Sequence, residues 1–410
     1  MDSPLARPCR LLLRGCLLWC LAGTALAATL SSQSSVGVSS EFASNPFYLE
    51  SGARPAEALG VFADLPATYT SDTQTIDLIP RFRLAEPFGP VALLSNYEYL
   101  DADWHWKSER NTFIATGELH HDSTYYDEFE QAALLGHDLL RLEQNASASW
   151  DRALSERSDL EVTGSWDKVT YSQSVASAVS NFSYTQGALQ YNHALSELWR
   201  WTSSIGYGQY KLLNGAYLSD QRFAETGLTQ TLSERWSLTA QVSYAYLTAR
   251  SLGYACCQLE ISPSGTLYLA PIPVEQYSSR GSPNFTVSAE HRGERLVVDA
   301  AASRAIQPSG FGALLTQDSA SLSTSLRWTE RLTLSAGLNW SRLADSLGRL
   351  DLENRHYYGA DLSASWQWTE HWTLQIQGSY GEQYLAPQIP PVAGATVYLN
   401  LSRQFGRLRL

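Results

Sequence analysis

The stretch HHDSTYYDEFE places His120 and His121 just ahead of Asp122, Asp127 and Glu128. A histidine beside a carboxylate can take a proton from water or help to hold a divalent cation. No nucleophile can be assigned nearby, so the chain is read as a non-enzyme, with a hydrolase site at this rim kept as the third alternative. Cys256 and Cys257 are the other reactive pair. Adjacent cysteines can close only a strained ring and staple no long loop, and no further ligands are spaced to make them a metal site. No nucleotide-binding glycine loop occurs, so no cofactor or metal is expected.

The first residues read as an export signal. Arg7, Arg10 and Arg14 supply the positive charge, LLLRGCLLWCLAGTALA supplies the apolar stretch, and Ala25-Leu26-Ala27 has the small-x-small form of a cleavage site. Cleavage after Ala27 is expected, leaving 28–410 as one domain. Three arginines and Asp2 leave with the signal, so the net charge moves from −12 to −14 (−12 minus 2). Cys9, Cys16 and Cys20 leave too, and the exported chain does not rely on disulfides. The acidic balance excludes a basic nucleic-acid surface. No run of 18 apolar residues survives the cut, which excludes a transmembrane helix.

One unit recurs along the rest. HWKSERNTFIATGEL, RALSERSDLEVTGSW, TLSERWSLTAQVSY, RWTERLTLSAGLNW and QWTEHWTLQIQGSY each carry a short turn with glutamate, then an alternating run. In LTLSAGLNW the residues Leu332, Leu334, Ala336, Leu338 and Trp340 share one parity, while Thr333, Ser335, Gly337 and Asn339 share the other. A strand sends successive side chains to opposite faces, so each run has an apolar and a polar face. A water-soluble sandwich also alternates. Its strands are shorter, about 5 to 6 residues, and its wet face carries lysine and glutamate rather than Ser, Thr, Gln and Asn. Tight turns at one end and long connections at the other, such as 251–281 and 121–138, fit an all-β transmembrane up-and-down antiparallel barrel with short periplasmic turns and long extracellular loops. Eighteen strands are expected, with sixteen as the alternative. Both ends fall on the short-turn side. Pro80 weakens the second strand. The stretch 45–70 reads as a loop with a short helix in ARPAEALGVFADL that could narrow the lumen.

Tryptophans gather beside the tight turns: Trp104, Trp199, Trp236, Trp328, Trp366, Trp368 and Trp372. Rings with a polar handle favour a membrane interface and would form a girdle there. The parity that faces the lumen carries Glu98, Glu118, Arg141, Glu143, Asp159, Glu161, Asp167, Asp299, Arg327 and Asp361. Many of these charges should pair across strands, and the acidic surplus would favour cations or neutral solutes.

The last run, ATVYLNLSRQF, resembles the terminal strand of Gram-negative outer-membrane barrels. Val397, Leu399, Leu401 and Phe405 stand where those proteins carry the signal for the barrel-assembly machinery. Arg403 departs from the pattern, and GRLRL follows the phenylalanine. The stretches SQSSVGVSSEFASNPF and DLIPRFRLA, with hairpins of the form LSER-x-SL-x-A-x-x-SY, resemble proteobacterial barrels associated with exopolysaccharide and exosortase systems. The resemblance implies an outer-membrane location and work linked to polysaccharide. No plug domain and no energy-coupling box accompany it. The expected function is a porin-like channel for passive transport of small solutes or saccharides, linked to exopolysaccharide export. The alternative is a closed barrel that displays its loops for structure or adhesion. Expected partners are outer-membrane lipid, lipopolysaccharide (where a rim cation could bridge at His120 and His121) and saccharide or polysaccharide.

Overall fold

The computed structural model describes residues 28–49, 52–91, 95–124, 138–172, 179–261, 267–347, 355–384, 390–406 and 408–409, with backbone alone for 253–273 and 408–409. The export signal, Asp127 and Glu128 lie outside these residues, as do the side chains of Cys256 and Cys257.

Antiparallel pairing runs from each strand to the next. β1 comprises Thr29–Ser32 and Ser35–Ala43, and β2 comprises Ala56–Asp64 and Ala67–Thr70. In each the second segment continues the register of the first: Ser32 pairs with Ala67 as Ser35 pairs with Asp64. Then follow β3 (Gln74–Phe88), β4 (Tyr97–Lys107), β5 (Asn111–Ser123), β6 (Leu140–Ser155) and β7 (Ser158–Tyr171). Next are β8 (Phe182–Ala194), β9 (Trp199–Leu212), β10 (Tyr217–Ser233), β11 (Trp236–Ile261) and β12 (Leu267–Arg292). The last six are β13 (Leu296–Ser309), β14 (Ala313–Arg327), β15 (Leu332–Asp345), β16 (Arg355–Gln367), β17 (Trp372–Tyr384) and β18 (Val392–Gln404, extended by Leu408–Arg409). β18 returns to pair with β1, Ser35 against Gln404 through Ala43 against Thr396. The sheet is therefore a closed barrel of eighteen strands.

The expected number is right, but two of its parts are not. Ala56–Thr70 is wall, not an inserted loop. AEALGVFAD alternates with period two: Ala56, Ala58 and Gly60 face inward while Glu57, Leu59 and Val61 face outward. The proline and alanines that suggested a helix are outweighed by that alternation. At the other error, Tyr97–Lys107 is one strand where two were expected, because Pro87, Gly89 and Pro90 end β3 instead. Pro80 stays within β3. The Leu65 N–H donates to the Pro80 carbonyl (2.9 Å) where β2 is interrupted between its segments, so the missing donor falls at a break in the ladder.

The expected long loop 251–281 is a correction too. β11 and β12 run on as a two-stranded arm, paired as far as Ile261 against Leu267, whereas β10 leaves β11 at Ser251. Ten residues at ~3.3 Å each give that arm a reach of roughly 33 Å. Nor are all connections at that end long. Leu213–Ala216 and Gly310–Gly312 are tight, with Gly215 and Gly312 at positive φ.

Directly opposed residues share a face, so the registers assign every strand residue. The outward set is mainly apolar and exposed: Val38, Leu59, Leu84, Val162, Ile205, Val242, Leu322, Leu338, Leu362 and Leu399 circle the barrel, with the Arg304–Asp318 ion pair on the same face nearer the long-loop end. So much contiguous exposed apolar surface requires an apolar surrounding. Leu338, 58% exposed, has Asn339 beside it on the inner face. Leu338→Arg should cost about 2–4 kcal/mol of folding stability in a bilayer, whereas Asn339→Asp should change it little. Urea titration into phosphatidylcholine vesicles checks the difference, and equal costs would contradict the assigned faces.

Candidate functional site

The inner wall has two chemistries. From β12 to β18 it carries mainly small uncharged groups, among them Ser288, Ser321, Ser323, Asn339, Ser363, Gln377 and Asn400. From β3 to β9 it is charged. At the closing seam, Glu41 on β1 meets Arg83 on β3 at 3.0 Å, and their side chains are 0% and 6% exposed. Tyr398 on β18 donates its hydroxyl to the other oxygen of Glu41 (3.0 Å), and Ser95 lies at 3.5 Å. Beside it, Asp101 takes Arg81 on one side and His120 (2.7 Å) on the other. Arg81 sits over the ring of Tyr99, which also packs on His120. Asp122, fully buried, binds Arg141 through two nitrogens (3.1 and 3.3 Å) and accepts the Tyr99 hydroxyl (2.8 Å). Arg141 reaches Glu143 as well, at 3.0 Å.

The expected lumen residues are placed as follows. Arg141 and Glu143 belong to that network. Glu118 faces inward between Asp101 and Asn145, and Asp167 between Asn145 and Tyr184. Asp159 and Glu161 share a recess of about 620 Å³ with Asp151, Gln190, Asn192, Arg200 and Thr202. There the Asn192 amide donates to Asp159 at 2.6 Å. Asp299 opposes Glu290 and Ser323, Arg327 opposes Thr333, and Asp361 opposes Gly337, whose missing Cβ leaves room for the carboxylate. Asp299, Arg327 and Asp361 are thus spread over the hydroxyl- and amide-rich wall and form no common site. Glu98 is a correction. It is opposed by Phe82 and His121 on the outer face, because Arg83 and Tyr97 hold the inner parity. His120 and His121 are adjacent in one strand and so face opposite sides; they cannot build one rim site. Among the described residues no group of three or more metal-binding side chains occurs.

Two features narrow the extracellular end. The tip joining β13 and β14 folds across the lumen onto β7–β10. The Tyr210 hydroxyl donates to the Ser309 carbonyl (2.7 Å), and the Ser180 N–H donates to the Gly310 carbonyl (2.6 Å). Leu314 joins a buried cluster with Tyr171, Phe182, Tyr210, Leu212, Tyr217 and Leu247. On the opposite side the turn after β1 folds inward. Tyr48, at φ +48°, packs edge-on against Tyr357 and over Gly381, while Asn45 donates to the Leu49 and Ala393 carbonyls at 3.2 Å each. That left-handed backbone is uncommon for a bulky residue. Sequence reasoning missed both features, and also Glu41 and Asp101, and it set Asp122 at a rim site with His120 and His121 rather than in the inner network with Tyr99 and Arg141. The parity rule would have placed all three once the strands were correctly bounded.

Outside, Trp104, Trp199, Trp236, Trp328, Trp366, Trp368 and Trp372 are all exposed beside tight turns. Val397, Leu399, Leu401 and Phe405 lie along the outer side of β18 and its end. The unexpected Arg403 holds its guanidinium 6.0 Å from the Trp372 ring and 5.6 Å from Phe405, a cation–π arrangement that keeps the charge at the strand's end.

No protein-family model matches the chain, and no characterised protein matches it in sequence. Solved structures do. The ferric-catecholate import receptor Fiu from E. coli K12, in its open form, is 10% identical with a TM-score of 0.49, over 93% of this chain and 82% of that one. Pseudomonas aeruginosa OccK2 (OpdF) in complex with glucuronate is 12% identical with a TM-score of 0.46, over 93% and 98%. Pseudomonas aeruginosa OpdL is 11% identical with a TM-score of 0.45, over 94% and 100%. Each score is below 0.5, so the barrel assignment stands on the strand registers.

Removing one member of the buried Glu41–Arg83 pair leaves the other charge unpaired. Arg83→Met should therefore cost about 3–5 kcal/mol, and adding Glu41→Met should recover much of it. Chemical unfolding of the single and double variants tests this; equal losses would show that the pair is not the seam's tie.

Proposed function

We propose that the chain is an outer-membrane channel for the passive passage of small hydrophilic solutes, with uncharged saccharides the favoured class. The observation that carries this reading is a closed barrel with a mainly apolar exterior and a wall from β12 to β18 whose inner face is mainly hydroxyl and amide groups, interrupted by Glu290, Asp299, Arg327 and Asp361. Serine, threonine, asparagine and glutamine replace the water lost by a sugar hydroxyl without imposing a net charge. Lipid is the surrounding that the outer apolar band needs, and the tryptophans beside the turns and the tyrosines toward the other end suit its two interfaces. The inner acids outnumber their basic partners along β4–β9, so a cation is favoured over an anion of the same size. Export of an exopolysaccharide is the finer form of this reading, supported by the resemblance of the hairpin pattern and by the sugar-compatible wall.

A second reading is favoured by the inward-folded tip and the Tyr48 turn. A barrel narrowed this far could serve mainly to hold its arm and loops at the cell surface.

Conductance of the refolded mature protein in a planar bilayer separates the two. Discrete steps with cation preference are expected in 0.1 M salt, with the preference weakening at 1 M as the Debye length falls from about 10 to about 3 Å. Tyr210→Phe, which frees the tip's carbonyl anchor, should raise the unitary conductance. Absence of steps from folded protein would leave the display reading.

A further inference from the structure

The outer face carries one row of charge that solute conduction does not use. Arg304 on β13, Asp318 on β14, Arg342 on β15, His356 on β16 and Tyr384 on β17 are directly opposed from strand to strand. All share the outward parity of Leu322, Leu338 and Leu362. Arg304 is also the last residue of β13 that pairs with β12.

The charges in this row do not balance. Arg304 holds both oxygens of Asp318, Nε to Oδ1 at 2.6 Å and Nη2 to Oδ2 at 2.8 Å. Arg342 faces Asp318 from the other side and forms no ion pair among the described residues. Its Nε is buried without an acceptor, and Nδ1 of the opposed His356 is buried without a partner too. Like charges opposed across a strand pair repel. A cation at Arg342 beside His356 therefore calls for an anion that these strands do not supply. Glu382 on β17 lies one row lower, opposite Tyr358, and accepts the Tyr384 hydroxyl at 3.0 Å.

Height decides which anion can reach the row. Arg342 stands ten residues beyond Leu332, where β15 begins. At ~3.3 Å per residue and a tilt of ~40°, that is roughly 25 Å, the full height of an apolar band. The row is therefore level with the headgroups of the outer leaflet, as the exposed Tyr358, Tyr380 and Tyr384 beside it also fit. The anion a membrane lipid carries there is a phosphate, and a guanidinium meets it with two N–H donors. Just below the row, Ala302 and Ala320 lie between Val287 on one side and Trp340 on the other. Trp340 in turn stacks on His356, 6.1 Å between ring centres. Small side chains between large ones leave a shallow trough, roughly 14 Å across three strand spacings.

We propose that Arg342, with Arg304 and His356 beside it, binds the phosphate of an outer-leaflet glycolipid directly, the acyl chains lying over Ala302 and Ala320. No bridging cation is needed, unlike the rim contact expected at His120 and His121. The site is on the outside of β13–β16 and leaves the lumen free.

The test is native mass spectrometry of the refolded mature protein in detergent, titrated with diphosphoryl lipid A. One retained lipid per barrel is expected. Arg342→Gln should weaken its binding about tenfold, the loss of one charge-assisted contact. Removing both phosphates from the lipid should do the same to the unaltered protein and add nothing in the variant. Ala320→Trp fills the trough, keeps every charge and should also weaken binding. Lys168→Gln, on the outward face of β7, should leave it unchanged. Heat-modified electrophoretic mobility checks that each variant is folded. Equal binding by Arg342→Gln and the unaltered protein would overturn the proposal, as would binding indifferent to the lipid's phosphates. Ready displacement by inorganic phosphate, with Ala320→Trp inert, would assign a free-anion site and overturn it too.

Discussion

Closure of the backbone ladder is the constraint on which the rest of this structure depends. Hydrocarbon offers no hydrogen bond to a peptide group, so a sheet with an open edge is costly in lipid, and joining β18 to β1 removes that edge. The seam is reinforced from inside. Arg83 from β3 and Tyr398 from β18 each bind the fully buried carboxylate of Glu41 on β1. A buried charge pair adds little net stability by itself. It does make the wrong register expensive, because a one-residue slip would turn Glu41 toward lipid.

Once the sheet is closed, strand alternation decides both surfaces. One parity must be apolar across the membrane band, giving way to charges such as Arg304 and Asp318 toward the strand ends, and the other is free to vary. In this chain it varies in a sectored way: ion pairs and acids along β3–β9, hydroxyls and amides along β12–β18. The tip of β13–β14 exploits a local relaxation of the same constraint. Pro283 and Pro308 leave fewer donors to satisfy where the ladder stops, so the hairpin can bend inward and form new bonds with Tyr210 and Ser180.

Much of the fold was legible because long strands such as LTLSAGLNW and WTLQIQGSY show their faces residue by residue. The misreadings came where local signals were mixed. AEALGVFAD is short and rich in alanine, and it follows a proline, so its period of two was easily taken for a helical start. The segment around Tyr97 was bounded wrongly, which moved Glu98 to the lumen and hid Asp101. Adjacent His120 and His121 could have been separated from sequence, since neighbours in a strand face opposite ways. The inward tip could not be read at all. PSGFG is an ordinary turn sequence, and its position depends on Tyr171, Tyr210 and Leu212, more than ninety residues away in the chain.

The most direct test of this account is a nitroxide scan of β15 from Thr333 to Trp340 in lipid bilayers, with Cys256 and Cys257 replaced by serine. Collision with oxygen reports exposure to hydrocarbon, and collision with a water-soluble nickel chelate reports exposure to the lumen. The barrel predicts strict alternation: Leu334, Ala336, Leu338 and Trp340 favour oxygen, and Thr333, Ser335, Gly337 and Asn339 favour nickel. Nickel access along both parities would contradict a membrane-spanning barrel and return the chain to a water-soluble sheet.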